Sequence, residues 1–316
     1  MKKILLMAVA AMMATVSVDA QNRDETQGVG GKVLDSLYTV GSNDVRRMKC
    51  LYEYTEAKLP RVKWTLSYYD EEGNRTEEPV TDGRDTYTYD EQNRLRRQES
   101  ASLENGALRV TNIQEIAEYH AETSVPALIY NYKADQNDPE ATPQLTQKGV
   151  ITKCYGSVGM EDMEIYSYDD GEWTFTANVH YDYNENDLVQ QETYSLNSIR
   201  MVTIYEYDDH GQMIQKTVKQ EVKVMEAFIE LSSMTRTFTN EYYDDGNLKK
   251  TSEIDDETFI ETVHYFWSNG SGTAIRDIQT AIETLDRTFD LSGRIVTDPS
   301  TRKGIYIQQG KKVFIK

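Results

Sequence analysis

The chain has 316 residues, 38% of them apolar, with 34 Lys and Arg against 53 Asp and Glu and a net charge of −19. So acidic a chain is repelled by nucleic acid and anionic lipid, whose phosphates are held through Lys and Arg, and neither is expected as a partner. The apolar fraction suffices for a core, and its weighting to Tyr (22) over Phe (7) suits half-buried sheet faces, where the ring packs and the hydroxyl reaches water.

Residues 1–20, "MKKILLMAVAAMMATVSVDA", place Lys2 and Lys3 before an apolar run and small residues around Ala20, which is the pattern of a secretory signal peptide. The run falls short of the ~20 residues of a membrane helix and no later segment approaches that length, so no transmembrane segment is expected after cleavage. A secreted or outer cell-surface protein is the expectation, with the periplasm as the other compartment open to it. Residues 21–49, which include "GVGG" at 28–31, read as a mobile N-terminal arm. Cys50 and Cys154 are the two cysteines. In an oxidising compartment they are candidates for one disulfide, worth about 4 kcal/mol in the loop-entropy model, but a chain of this size does not need the staple.

The clearest strand is "EWTFTANVHYDY", in which Trp173, Phe175, Ala177, Val179, Tyr181 and Tyr183 alternate with polar residues. A period of two predicts a strand with all six on one buried face. The "NENDL" that follows supplies turn formers, because Asn and Asp bond their own backbone and tolerate the left-handed conformation. The same phrase, a Tyr pair, an acidic turn and then one apolar residue, recurs at "YTYDEQNRL" (87), "YEYDDHGQM" (205) and "YYDDGNLKK" (242), and with Tyr52 and Tyr54 before Leu59. Looser copies start at Trp64, Tyr130 and Tyr166. About eight hairpins are predicted, and since a lone ribbon buries too little to be stable, they must share one aromatic face. The expected fold is all-β, a meander of antiparallel hairpin repeats over residues 50–267 forming a long, curved, twisted sheet. "VTNIQEIAEYHAE" at 110–122 fits helix and strand equally and stays unassigned.

These phrases resemble YD repeats of the RHS type, whose relatives wind β-hairpins into curved sheets or shells. The resemblance covers residues 50–267 and implies an architecture without toxicity, since neither a toxin-length extension nor a self-cleaving acidic segment follows.

"SNGSG" at 268–272 reads as a joint, giving a linker over 268–273, and residues 274–316 form a separate β segment. There "RTFDL", "GIYI" and "KVFIK" are short apolar strands broken by Ser292-Gly293 and Gln309-Gly310. The stretches Leu291–Val296, Gly304–Ile307 and Lys311–Lys316 resemble an abbreviated type IX secretion sorting domain of Bacteroidetes. On its residues alone the segment is equally a small β cap.

Chemistry is sparse. The four histidines, His120, His180, His210 and His264, show no zinc-ligand spacing. The acidic clusters at 169–171, 208–209 and 244–247 lack the alternating oxygens of a calcium loop and read as turns. No nucleophile elbow is present. No metal, cofactor or catalytic residue is therefore expected. Trp64, Trp173 and Trp267 are the aromatic binding candidates, although core packing explains them as well. The expected function is a non-catalytic binding or structural module whose partner, protein or glycan, is unknown, or else a carbohydrate-binding or carbohydrate-processing accessory protein. Outward-facing Trp rings would favour the second.

Overall fold

The computed structural model describes residues 26–269, apart from 43, 44, 72, 105, 122, 136, 137, 139, 140, 158, 256 and 257, together with four strands near the C-terminus. Residues 1–20, read above as a signal peptide, most of 268–273, read as a linker, Ser292-Gly293 and Gln309-Gly310 lie outside the described residues. Two compact units divide the chain, Met1–Asn269 and Gly270–Lys316.

The first unit is all-β and antiparallel. Its strands are β1 (Val33–Gly41), β2 (Arg46–Tyr54), β3 (Pro60–Tyr69), β4 (Arg75–Tyr89), β5 (Leu95–Glu104), β6 (Ala107–Tyr119), β7 (Pro126–Lys133) and β8 (Gln144–Tyr155). They continue as β9 (Gly159–Asp169), β10 (Glu172–Tyr183), β11 (Val189–Leu196), β12 (Ile199–Tyr207), β13 (Met213–Val224), β14 (Ala227–Tyr242), β15 (Leu248–Asp255) and β16 (Thr258–Ser268). Each pairs with its sequence neighbour, and β1 pairs with β16, from Val33↔Ser268 to Gly41↔Glu261. The expected open, curved sheet is thus corrected to a closed barrel of sixteen strands. The residues taken for an arm carry β1 and the first four residues of β2, and 110–122 belongs mainly to β6.

A bulge repeated at one rim explains why the meander curls shut. At the ends of β2, β4, β10, β12 and β14 the register shifts next to the last Tyr, between Glu53/Tyr54, Thr88/Tyr89, Asp182/Tyr183, Glu206/Tyr207 and Glu241/Tyr242. One extra residue on the returning strand bends the pair and increases its twist, and the bend accumulates in one sense. The turns share one geometry. Asp90 N donates to Arg94 O and Asn93 N to Asp90 O, with the same pairs at 184–188, 208–212 and 243–247. The fourth residue is left-handed, with φ of 61° at Asn93, 59° at Asp187 and 78° at Gly211, which is why Asn, Asp and Gly recur there. The leading carboxylate or amide caps the loop, as when Asp90 Oδ1 accepts from the Gln92 and Arg94 amides.

The second Tyr locks the rim in four of the five phrases, while in the phrase at 242 Tyr242 donates to Asp208 instead. Tyr54, Tyr89, Tyr183 and Tyr207 donate to the carbonyls of Leu34, Pro60, Met160 and Val189 at 2.5–2.7 Å, and Tyr119 donates to that of Leu95. Burial pushes the Tyr119 and Tyr207 hydroxyls up to about 12, so they remain donors at any physiological pH. The repeat is therefore a staple from the end of one strand to a carbonyl at the start of an earlier one.

Register parity followed around the ring separates two faces. The inner face carries the dry cluster of Ile116, Ile129, Ile151, Met163, Ile165, Ala177, Val179, Tyr181, Val189 and Tyr205, with a smaller cluster of Leu34, Cys50 and Tyr52 across the β1/β16 seam. The six-residue face expected in β10 is broken, because a bulge between Phe175 and Ala177 shifts the phase. Ala177, Val179 and Tyr181 point inward, at 0, 3 and 1% exposure, whereas Trp173 and Phe175 share the outer wall with their partners Tyr168 and Tyr166. The candidate disulfide is not formed: Cys50 on β2 and Cys154 on β8 are free and lie on strands that are not neighbours.

In the second unit, β17 (Thr288–Asp290), β18 (Ile295–Val296), β19 (Gly304–Gln308) and β20 (Lys311–Ile315) form an antiparallel sheet in the order β18-β17-β19-β20.

Removing one staple hydroxyl, as in Tyr207→Phe, leaves the Val189 carbonyl short of its donor and is expected to cost about 1 kcal/mol in urea unfolding. Tyr168→Phe on the outer wall should change stability by far less.

Candidate functional site

Sixteen strands enclose more width than side chains fill, and a cavity of about 520 Å³ lies inside the stapled rim. Its wall comes from inward positions of β12 and β14–β16, among them Tyr207, Phe238, Asn240, Glu253, Val263 and Trp267, and the segment Gln27–Val29 bounds it as well. That segment straps the rim. Val29 N donates to Asn247 Oδ1 at 2.6 Å, Gln27 Nε2 to Lys58 O at 2.7 Å, and Lys32 pairs with Asp245 at 2.5 Å. Asp245 falls to about 2, the Lys32 hydrogen bond being the largest cause. Gly28 is required by close approach: a Cβ there would lie 2.3 Å from Asn247 Oδ1 and 2.7 Å from Trp267 Cε3. Gly28–Gly31 is thus a fitted strap, not a mobile arm.

Asp208 is the polar hub beside the cavity. It accepts from the Gln212 amide at 2.9 Å, the His210 amide at 3.0 Å, Asn240 Nδ2 at 3.1 Å and the Tyr242 hydroxyl. Burial works against its charge, but the bonds from Tyr242, the Gln212 amide, Asn240 and the His210 amide outweigh it and hold the carboxyl below its usual range. His210 stacks on Tyr242 with centroids 4.1 Å apart. Across the cavity Glu253 and Glu261 are register partners, and Arg236 pairs with Glu253 at 2.9 Å.

The three Trp candidates separate. Trp267 faces the lumen and donates its indole N–H to Leu248 O at 2.6 Å. Trp64 stands on the outer wall, bonded to Glu53 at 2.9 Å, with Arg84 over its ring. Trp173 anchors an outer aromatic platform, 4.8 Å from Tyr168 and 6.1 Å from Tyr130. Lys148 Nζ lies 4.5 Å from the Trp173 ring and 4.8 Å from that of Tyr166, and Phe175 is 48% exposed beside them. The structure does not bring the three together.

Sequence reasoning also missed a group on the outer wall, where Glu161, Asp162 and His180 place ligand atoms within 4.8 Å of one another. Those atoms are engaged by protein. His180 Nδ1 meets Asp162 at 2.7 Å, its Nε2 meets Asp182 at 3.2 Å, and Lys153 caps Glu161. The Asp162 hydrogen bond is the main cause that raises the His180 pKa. Only the Asp182 contact, at i+2 on the same strand face, was open to reading from spacing. Burial raises the Cys50 and Cys154 thiols, so neither is an activated nucleophile.

Neither a protein-family model nor a curated protein sequence matches the chain. Among solved structures it is similar to a porin-like protein from Bacteroides uniformis ATCC 8492, at 9% identity over 74% of this chain and 98% of that one, with a TM-score of 0.46. A porin-like protein from Bacteroides vulgatus ATCC 8482 matches with the same identity and coverage and a TM-score of 0.36. The complex TcdB2-TccC3-TEV aligns at 12% identity over 87% of this chain and 19% of that one, with a TM-score of 0.23. These scores are too low for the likeness to carry any conclusion about what this chain does.

Asp208→Ala strips the Gln212 and His210 amides and the Tyr242 hydroxyl of their acceptor, while Asn240 Nδ2 keeps the Met213 carbonyl, and is expected to cost about 1–2 kcal/mol at neutral pH. A carboxyl whose folded pKa lies below the unfolded value contributes stability above the ordinary Asp pKa of about 4. The wild-type advantage should therefore be constant at neutral pH and disappear as pH falls below about 4, as read by thermal melts of both proteins across that range.

Proposed function

We propose that this chain is an exported, non-catalytic β-barrel that stands in water at or beyond the outer cell surface and acts as a binding or structural module. The observation that carries this reading is the distribution of charge over the wall. Arg61–Glu53, Arg97–Glu115, Lys153–Glu161, Arg200–Glu221, Lys219–Glu230 and Lys250–Glu241 are ion pairs on the outward side, while the continuous apolar cluster faces inward. A lipid-spanning barrel needs the reverse, an outward apolar band ~25 Å tall, and Lys or Arg at the midplane of its lipid face costs about 2–4 kcal/mol each. Among the described residues no helix is long and apolar enough to cross a membrane, which leaves the strands as the only question.

Export rests on the leader and on the likeness of residues 274–316 to a type IX sorting domain. The YD-repeat reading is supported by the way the phrases at 52, 87, 181, 205 and 242 deliver the same bulge to one rim. A non-catalytic role fits a rim whose tyrosines and leading carboxylates are committed to backbone staples and turn caps. A carbohydrate-binding role is the second reading, favoured by Trp64 and Trp173 turning outward and by the platform around Lys148.

The purified mature chain is expected to remain monodisperse without detergent and to stay in the bottom fraction when floated with phosphatidylcholine liposomes. A requirement for detergent, or flotation with the vesicles, would overturn the reading.

A further inference from the structure

The cavity at the stapled rim is walled by rings whose polar ends are spent. Tyr207 donates to Val189 O, Tyr242 to Asp208, and Trp267 gives its indole N–H to Leu248 O, so these three offer the cavity ring surface and no free donor. The Asn240 amide is spent likewise, its Nδ2 on Asp208 and Met213 O and its Oδ1 on the Thr251 hydroxyl. At the end away from the rim the wall is charged. Phe238, Glu253 and Glu261 stand level on three adjacent strands, Phe238 opposite Glu253 and Glu253 opposite Glu261. Like charges directly opposite on one face repel. Arg236 balances Glu253 at 2.9 Å, and Arg47 lies against Gly41, the β1 partner of Glu261, but Glu261 has no ion-pair partner among the described residues. No Lys or Arg lines the cavity, and Asp209 and His210, both exposed, open it to solvent.

We propose that this cavity takes an elongated organic cation, an alkylammonium chain, with the ammonium between Phe238 and Glu261 and the chain along the rings of Tyr242, Tyr265 and Trp267. The assignment rests on the reading of the barrel as a water-facing binding module and gives that module a ligand class and a place. Carboxylates only accept hydrogen bonds and an ammonium only donates them, while the face of Phe238 attracts a cation through its ring quadrupole. Other classes fit worse. An anion is repelled by Asp209, Glu253 and Glu261. A neutral, hydroxyl-rich ligand finds the donors of Tyr207, Tyr242, Asn240, Thr251 and Trp267 already taken, and an apolar one would desolvate Glu261 without a partner. The volume of about 520 Å³ falls within the range of small-molecule sites, about 300–1,000 Å³. Inward residues of one strand repeat at about 6.6 Å, so from Glu261 to Trp267 on β16 the wall runs about 20 Å, which suits a chain better than a compact ion.

The test is isothermal titration of the detergent-free mature protein with three chains of equal length, diaminooctane, octanediol and suberate, each to about 10 mM, ten times a weak dissociation constant of about 1 mM. Physiological salt, with a screening length of about 8 Å, suppresses diffuse binding of a cation to an acidic surface. The wild type is compared with Glu261→Gln, Phe238→Leu and Glu78→Gln, and thermal melts verify folding. Glu78 is an exposed acid on β4, a strand that gives the cavity no residue. Diaminooctane is expected to bind, and the diol and the dianion are not. Glu261→Gln should weaken binding tenfold or more, Phe238→Leu about fivefold, and Glu78→Gln not at all. Without ligand Glu261→Gln should melt no lower than wild type, because it relieves the pair of like charges; a lower melt would mean that the protein already balances Glu261 and would overturn the site. Equal weakening by Glu78→Gln and Glu261→Gln overturns it in favour of diffuse surface charge, and binding of octanediol or suberate as tight as that of the diamine overturns the ligand class. Absence of heat with all three chains overturns the site while leaving the water-facing barrel standing. Flotation with liposomes, by contrast, removes the underlying reading itself.

Discussion

Pairing of the first strand with the last is the constraint from which the other features follow. A meander of sixteen antiparallel strands that stayed open would present two unpaired edges, each a template for association with another chain. Here β1 lies along β16 over its whole length, every strand has two neighbours, and the wall acquires an inside. Only then do the alternate positions of each strand divide into one face that packs and one that meets solvent. The cavity at the rim and the direction of each Trp are both consequences of that division.

Closure in turn depends on a small motif used repeatedly. The Tyr phrase supplies a bulge, a left-handed turn residue and a hydroxyl staple in a single stretch of sequence, and these stretches meet at one rim. Bulges supply curvature and staples fix it. The opposite rim carries tighter reversals, such as Asp170-Gly171 with φ of 48° and 88° and Asn197 at 53°, and there the looser copies leave Tyr166, Tyr168 and Tyr130 on the outer wall. Near-identical phrases thus play different parts according to which end of the barrel they occupy.

Strands and turns were legible because both have local signatures: alternation of apolar residues, and Asn, Asp or Gly where the backbone must turn left-handed. The inward aim of Tyr181, Tyr183, Tyr205 and Tyr207 was legible for the same reason. Closure was not, since curvature is summed over many bulges and no single hairpin reveals the total. Thr176 hid the phase change in β10: its neighbours alternate without a break in sequence, and only the pairing with β9 shows that one residue is passed over. Cys50 and Cys154 illustrate the same limit, for sequence counts cysteines but does not show which strands are neighbours.

Amide hydrogen exchange at the seam tests closure most directly. If the barrel closes as described, the amides of β1 and β16, around Leu37 and Tyr265, will be protected to the same degree as those of β10 and β11 in the middle of the meander. Exchange of β1 and β16 at the rate of exposed loops, with β10 and β11 still protected, would mean that the sheet is open and that its lumen does not exist.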